Sequence, residues 1–414
     1  MLRARCLIPV AIAMLVASGC SGCHPEPGPL PCPPDCHADP PGETGLYHLD
    51  REDMDELRRA AWTLLLPFTE KGEGLPDPSA WAPSRSIFSN QQAMPGGLPL
   101  EIDLIPPESA ATAPPDRFES TFFNKVAQRF IEGAALNKAG TTQRLQRQFV
   151  REVVFPPGSM VVKAFWYRIR PREKVSVSLW DWRILQGNEG TDLDIGKFDE
   201  QCVEISPTEA GCIPAKASFY TATVDDPLLF CGRGCARPDR GDLMLLVGMH
   251  IISKQTPDWL WATYWWRGPD QKVLSGDLWT CQTAQRPDAI GSKARQWLNY
   301  SMTATASFRA AAPLPSTEQD KLCGYPGPIV HHQEYLATYN PFIEARFKNG
   351  LKSSCVNCHA RADTNDENGQ PVVAGPLDMN SPYLMSFEGH IRLDYLWSVR
   401  RGLGLTHWPP PHPK

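Results

Sequence analysis

Cys355, Val356, Asn357, Cys358 and His359 form a Cys-x-x-Cys-His run. Two cysteines three positions apart lie about one helical turn from each other, so both thiols can add to the two vinyl groups of one porphyrin while the adjacent histidine presents a ring nitrogen to its iron. That is the chemistry of one covalently held haem c, with His359 as proximal axial ligand. Chance is a poor explanation: with 13 Cys and 10 His in 414 residues, roughly 0.01 such runs are expected. A thioredoxin-type redox pair would want a βαβ setting, and a zinc site would want a second ligand pair at metal spacing; the sequence displays neither near the run.

The elements that must hold this run lie past a boundary at Ala311 to Pro315, and Cys323 to Lys414 carries the motif near its middle. A helix is expected from about Pro341 to Phe347, stopping at Asn349-Gly350, with Ser353 or Ser354 as N-cap of the next one. The amphipathic pattern from Tyr383 to Arg400, with Leu384, Phe387, Ile391, Leu393, Leu396 and Val399, reads as a helix closing the haem pocket.

On the Cys355 to His359 run the segment resembles a c-type cytochrome of the mono-haem kind, fused to another exported domain. The resemblance implies a downstream methionine as sixth ligand. Met379 and Met385 follow His359 by 20 and 26 residues, which is short for the class. Met385 leads because it sits in the apolar run; Met379 and, for a bis-histidine iron, His390 are the alternatives, and an open sixth position would mean ligand binding. Gly248 to Trp266 and Asn340 to Ala360 together also resemble an exported family, uncharacterised in function, that joins a Trp-rich β domain to a single-haem C-terminus.

Residues 1–19 read as a signal peptide: Arg3 and Arg5 give a basic start, Leu7 to Val16 an apolar run, and Ala17, Ser18 and Gly19 a small-residue approach to Cys20. The small residues before Cys20 resemble a bacterial lipobox, which implies lipidation of Cys20; Ser21 after it favours the outer membrane by the sorting rule of that class. Residues 20–45 are a Pro-rich linker suited to holding a domain off a membrane. Cys32, Cys36 and His37 within it form a Cys-x-x-x-Cys-His run; with prolines at 33 and 34, a local disulfide or free thiols fit better than a second haem.

Residues 46–158 read as helical and irregular, packing on a sheet: Asp50 to Leu65, Phe122 to Ile131 and Thr141 to Val154 carry helical spacing, and Leu104 to Pro115 is irregular. Residues 159–310 change to strand patterns, at Val161 to Ile169, Val175 to Trp182, Leu243 to Ile252 and Trp259 to Trp266. In the last of these both alternating faces are apolar, which predicts a central strand between two layers. Its tryptophans, with Tyr264, read as core before they read as a stacking platform for sugars, and His250 as a core histidine kept under watch.

The expected architecture is therefore α+β: an all-β sandwich or jelly-roll-like domain with flanking helices, and a small, mainly helical C-terminal haem module at residues 311–407. Residues 408–414 form a disordered tail. Six body cysteines allow fifteen pairings; proximity favours Cys202 with Cys212 and Cys231 with Cys235, leaving Cys281 for Cys323.

A net charge of −5 argues against a nucleic-acid binder. The expectation is an electron-transfer protein, lipid-anchored in the bacterial cell envelope, facing the periplasm and serving an unidentified redox partner protein. The rivals are a peroxidase- or dehydrogenase-like haem enzyme and a ligand-binding sensor with an open sixth site. No Ser-His-Asp order, phosphate loop or paired-carboxylate motif supports an enzyme.

Overall fold

The structure, a computed structural model, describes residues 54–69, 73–77, 79–88, 116–179, 200–208, 210–232, 236–256, 259–269, 286–292, 294–306 and 340–344, and in the C-terminal stretch 359, 362, 364, 391–394, 396, 398, 399 and 403. The strands are β1 (Trp81–Pro83), β2 (Arg117–Asn124), β3 (Met160–Ile169), β4 (Lys174–Ser178), β5 (Glu200–Glu204), β6 (Ile213–Pro214), β7 (Thr221–Thr223), β8 (Cys231–Gly232), β9 (Leu243–Ser253), β10 (Leu260–Trp266) and β11 (Tyr300–Thr305). Together with short helices they make an α+β fold around an antiparallel sheet.

That sheet has eight strands and runs β1-β2-β3-β9-β10-β11. β7 shares one edge of β9 with β10, pairing Leu243 to Leu245 while β10 pairs Gly248 to Ser253. β8 likewise shares an edge of β2 with β1. Between Phe165 and Trp166 the β3–β9 register slips, leaving Val247 as the extra residue of a bulge. A separate three-stranded sheet, β4-β5-β6, contributes Val175, Val177 and Val203 to the larger of two cores.

Every residue of β10 is buried, and in β9 only His250 retains appreciable exposure. Near-continuous apolar strands of this kind arise where both faces of a sheet are covered. One face packs against the helix Met54–Thr63, whose Trp62 meets Tyr264 edge-on at 5.8 Å. The second face carries Val161, Ile252 and Trp261, which share a core with Phe130 of the helix Lys125–Gly133 and with Ala362, Ile391, Leu393 and Leu396 of the C-terminal stretch. Trp259, Trp261, Trp265, Trp266 and Tyr264 are all within 3% of full burial, so the aromatic cluster fills cores.

Several element readings change. Phe122 and Phe123 belong to β2, and the helix starts at Lys125 with the Asn124 side chain accepting from the Ala127 N–H at 3.0 Å. β1 and β2, drawn from the stretch that reads as helical, are strands of the sheet itself. The helix at Thr141 ends at Arg147, after which Glu152 bridges to Arg392.

The expected helix from Tyr383 to Arg400 is interrupted. Arg392 sits in that bridge, and Asp394 has a φ of 46°. The cause is a buried anchor: the Asp394 carboxylate accepts from the Phe155 N–H and from Lys254 Nζ, each at 2.7 Å, with Lys254 and Asp394 both buried. Trp259 lies just outside β10 with a φ of 65°, which breaks the alternation assigned to it, although its ring remains in the second core.

Candidate functional site

The second sheet face has an order that a core alone does not require. Residues in register on adjacent antiparallel strands project to the same side. One row crosses five strands as Thr121, Lys163, His250, Thr263 and Thr303, all polar. The row on one side, Phe123, Val161, Ile252 and Trp261, is apolar until it ends on Thr305 of β11, and on the other side run Glu119, Phe165, Gly248, Trp265 and Ser301. A polar band thus runs beside an apolar row, with a mixed row carrying the Glu119 carboxylate on its other side, on a face that is largely buried.

His359 lies at this band. Its imidazole is half-buried and meets the Trp261 indole edge-on, ring centres 5.0 Å apart and planes at 60°. The backbone that follows is fixed: the Ala362 N–H donates to the His359 carbonyl at 3.0 Å, and the Leu393 N–H donates to the Ala362 carbonyl at 2.9 Å. Ala362 and Leu393 are buried in the core that contains Trp261 and Ile252.

Around His250 the band is charged. Glu119 is buried and accepts an ion pair from Lys163 at 3.0 Å and from Arg117 at 3.5 Å. The Arg117 guanidinium lies 4.7 Å from the Phe165 ring centre and donates to the Phe342 carbonyl at 3.2 Å. His250 itself meets Phe165 edge-on at 5.7 Å. Its ring keeps some accessible surface although it sits deep in the fold, and burial pushes its pKa well below the ordinary histidine range, with Lys163, His359 and Arg117 pushing the same way. The imidazole is held neutral, the form with a lone pair for metal or proton.

Asn340 closes the far side of the band. Its Nδ2 donates to Thr263 Oγ1 at 2.8 Å and to the Tyr264 carbonyl at 3.0 Å, and its Oδ1 accepts from the Phe342 N–H at 3.1 Å. Gly248 leaves room for it: a Cβ there would stand 3.1 Å from Asn340 Oδ1.

Of the residues singled out in the sequence, His359 and His250 are brought to one sheet face. Cys355, Cys358, Met379, Met385 and His390 lie outside the described residues, as do Cys20, Cys32, Cys36 and His37. Cys202 and Cys212 are joined by a disulfide that ties β5 to the start of β6. Cys231 is disulfide-bonded, while Cys235, Cys281 and Cys323 lie outside the described residues.

Sequence reasoning passed over Lys163, Glu119 and Arg117. The signal was a charge inside each of two apolar strand runs, Val-Val-Lys-Ala-Phe-Trp and Phe-Glu-Ser-Thr-Phe-Phe. A buried charge is costly unless paired, so its presence marks a face with a second task or a dedicated ion pair.

The site suits a haem on the chemistry of its donors. A half-buried imidazole at the end of the Cys355 to His359 run stands beside a second, neutral imidazole, next to an apolar row and near two cations. No family model matches this chain, and neither a curated protein nor a solved structure matches it.

Proposed function

We propose that the chain holds one haem c through Cys355 and Cys358, with His359 as the proximal ligand, and that it works in electron transfer. The observation that supports this most is the setting of His359. The last residue of the Cys-x-x-Cys-His run is half-buried against Trp261, on a strand-built face beside His250. When bound, the haem supplies one-electron chemistry by cycling its iron between ferrous and ferric.

The chain's own residues then do three things. Trp261 and the second core orient the His359 ring. The apolar row of Phe123, Val161, Ile252 and Trp261 would exclude water from one flank, which raises the cost of charge at the iron and so tunes its potential. Lys163 and Arg117, partly neutralised by Glu119, offer positive charge at the edge of the band. No catalytic residue is required.

The finer architecture belongs to the same proposal. The small sheet β4-β5-β6 shares a core with the large one, which supports a sandwich-like β domain, and residues 311–407 are read as the haem module, of which Ala362, Ile391, Leu393 and Leu396 share the second core. Export with a lipid anchor at Cys20, outer-membrane residence facing the periplasm, and an unidentified redox partner protein complete the reading.

Titration with carbon monoxide of the reduced protein and cyanide of the oxidised protein tests the choice between electron transfer and ligand chemistry. Resistance to both is expected of a six-coordinate transfer centre. Ready binding of either would point to a haem enzyme or a sensor.

A further inference from the structure

We infer that His250, carried on β9, supplies the second axial nitrogen to the iron, in place of Met385, Met379 or His390. The inference rests on the haem reading of Cys355, Cys358 and His359. Its own ground is the register of the sheet, which that reading does not use.

β9 lies inside the sheet, hydrogen-bonded to β3 on one side and to β10 and β7 on the other, so the His250 backbone is fixed from both edges. The registered partner of His250 is Thr263, and two residues before Thr263 stands Trp261, the ring on which His359 packs. Neighbours related by two positions on a facing strand are about 7–8 Å apart between Cα atoms, within reach of long and aromatic side chains. The two imidazoles therefore converge on one patch of one face, from chain segments far apart in sequence.

Two other members of the band are held by neighbours. Lys163 is ion-paired with Glu119, and the Thr263 hydroxyl accepts from Asn340. His250 is the band's metal-ligating side chain. A rigid strand is also a better platform for a ligand than a loop, because its side chains are held by packing and by backbone ladders. Two imidazoles on one iron give a low-spin, six-coordinate centre with no exchangeable site, and no atom or electron need be added to form it.

The test uses the full exported chain carrying its haem. Haem staining after denaturing electrophoresis, absorption spectra and electron paramagnetic resonance of the ferric form are recorded for the wild type, for H250A and H250M, and for a triple variant M379A/M385A/H390A. The wild type is expected to be low-spin with no near-infrared methionine-to-iron band. H250A should keep its covalent haem, become high-spin, bind carbon monoxide and return to low-spin when imidazole is added. H250M should gain the near-infrared band, and it decides the matter alone if H250A does not accumulate. The triple variant should match the wild type. Low-spin haem persisting in H250A, or a triple variant that turns high-spin, would overturn the assignment and leave covalent haem standing. A wild-type chain with no covalent haem would overturn both.

Discussion

The His359 imidazole stands edge-on to the Trp261 indole, ring centres 5.0 Å apart, and so joins the last residue of the Cys-x-x-Cys-His run to the interior of the sheet. Trp261 is 3% exposed and flanked in register by Ile252 and Thr305. The contact makes His359 part of the sheet's second face.

Trp261→Ala should therefore act on both stability and the haem centre. Removing a buried indole costs about 3–5 kcal/mol. The urea midpoint should fall accordingly, while the haem stain persists because attachment depends on the thiols. The spectrum should broaden or change spin state as the His359 ring loses its support. Unchanged stability together with an unchanged spectrum would mean that this contact orients nothing.

Lys254 and Asp394 couple the end of β9 to the C-terminal stretch, and the pair is buried. Burial raises the Asp394 pKa above the ordinary carboxylate value, with Lys254 and the Phe155 N–H pulling it back down. Lys254→Met removes the pulling charge and leaves a buried carboxylate without its counter-charge, which costs about 3–5 kcal/mol near neutral pH. The sign of the pH dependence follows from the raised value. A carboxyl whose folded pKa lies above its unfolded one contributes its full stability below the unfolded pKa and loses it as pH rises through the folded pKa. The K254M deficit should accordingly shrink on acidification, and the double variant K254M/D394L should be closer to the wild type than K254M is. Urea titrations across that pH range read both effects; a deficit that does not vary with pH contradicts the pairing.

Asn340 is fully buried and saturates its amide on Thr263, Tyr264 and Phe342. Asn340→Ala leaves the Tyr264 carbonyl and the Thr263 hydroxyl without this donor, a loss of about 1–3 kcal/mol. Gly248→Ala reaches the same contact from the strand side, because the new methyl would press on the Asn340 amide at 3.1–3.2 Å. The two substitutions should be less than additive, since each disturbs one shared contact. Strict additivity in thermal denaturation would contradict a common origin.

Much of the sheet was legible from short-range pattern. The two-sided apolar run from Trp259 to Trp266 reads as a buried central strand, and from Leu260 onward it lies between β9 and β11 with every residue buried. β2 escaped because Phe122 and Phe123 stand side by side just before Asn124, where a strand ends and a capped helix begins. The helical periodicity from Tyr383 to Arg400 misled for a different reason. Asp394 turns the chain to reach Lys254 and Phe155, a tertiary demand with no local trace. The polar band was hidden for the same kind of reason: Thr121, Lys163, His250, Thr263 and Thr303 are unremarkable singly and become a row only through strand register. His250 could be noted as a histidine in an apolar strand, but its nearness to His359 depends on how distant segments fold together.

The most direct test of the account is a haem-stained denaturing gel of the exported protein, run beside the double variant C355A/C358A and paired with absorption spectra of the purified chains. The account predicts that haem stays with the wild-type polypeptide through denaturation and is lost from the variant, whose spectrum carries no covalent haem bands. A wild-type chain without haem, or a variant that retains the full stain, would contradict it.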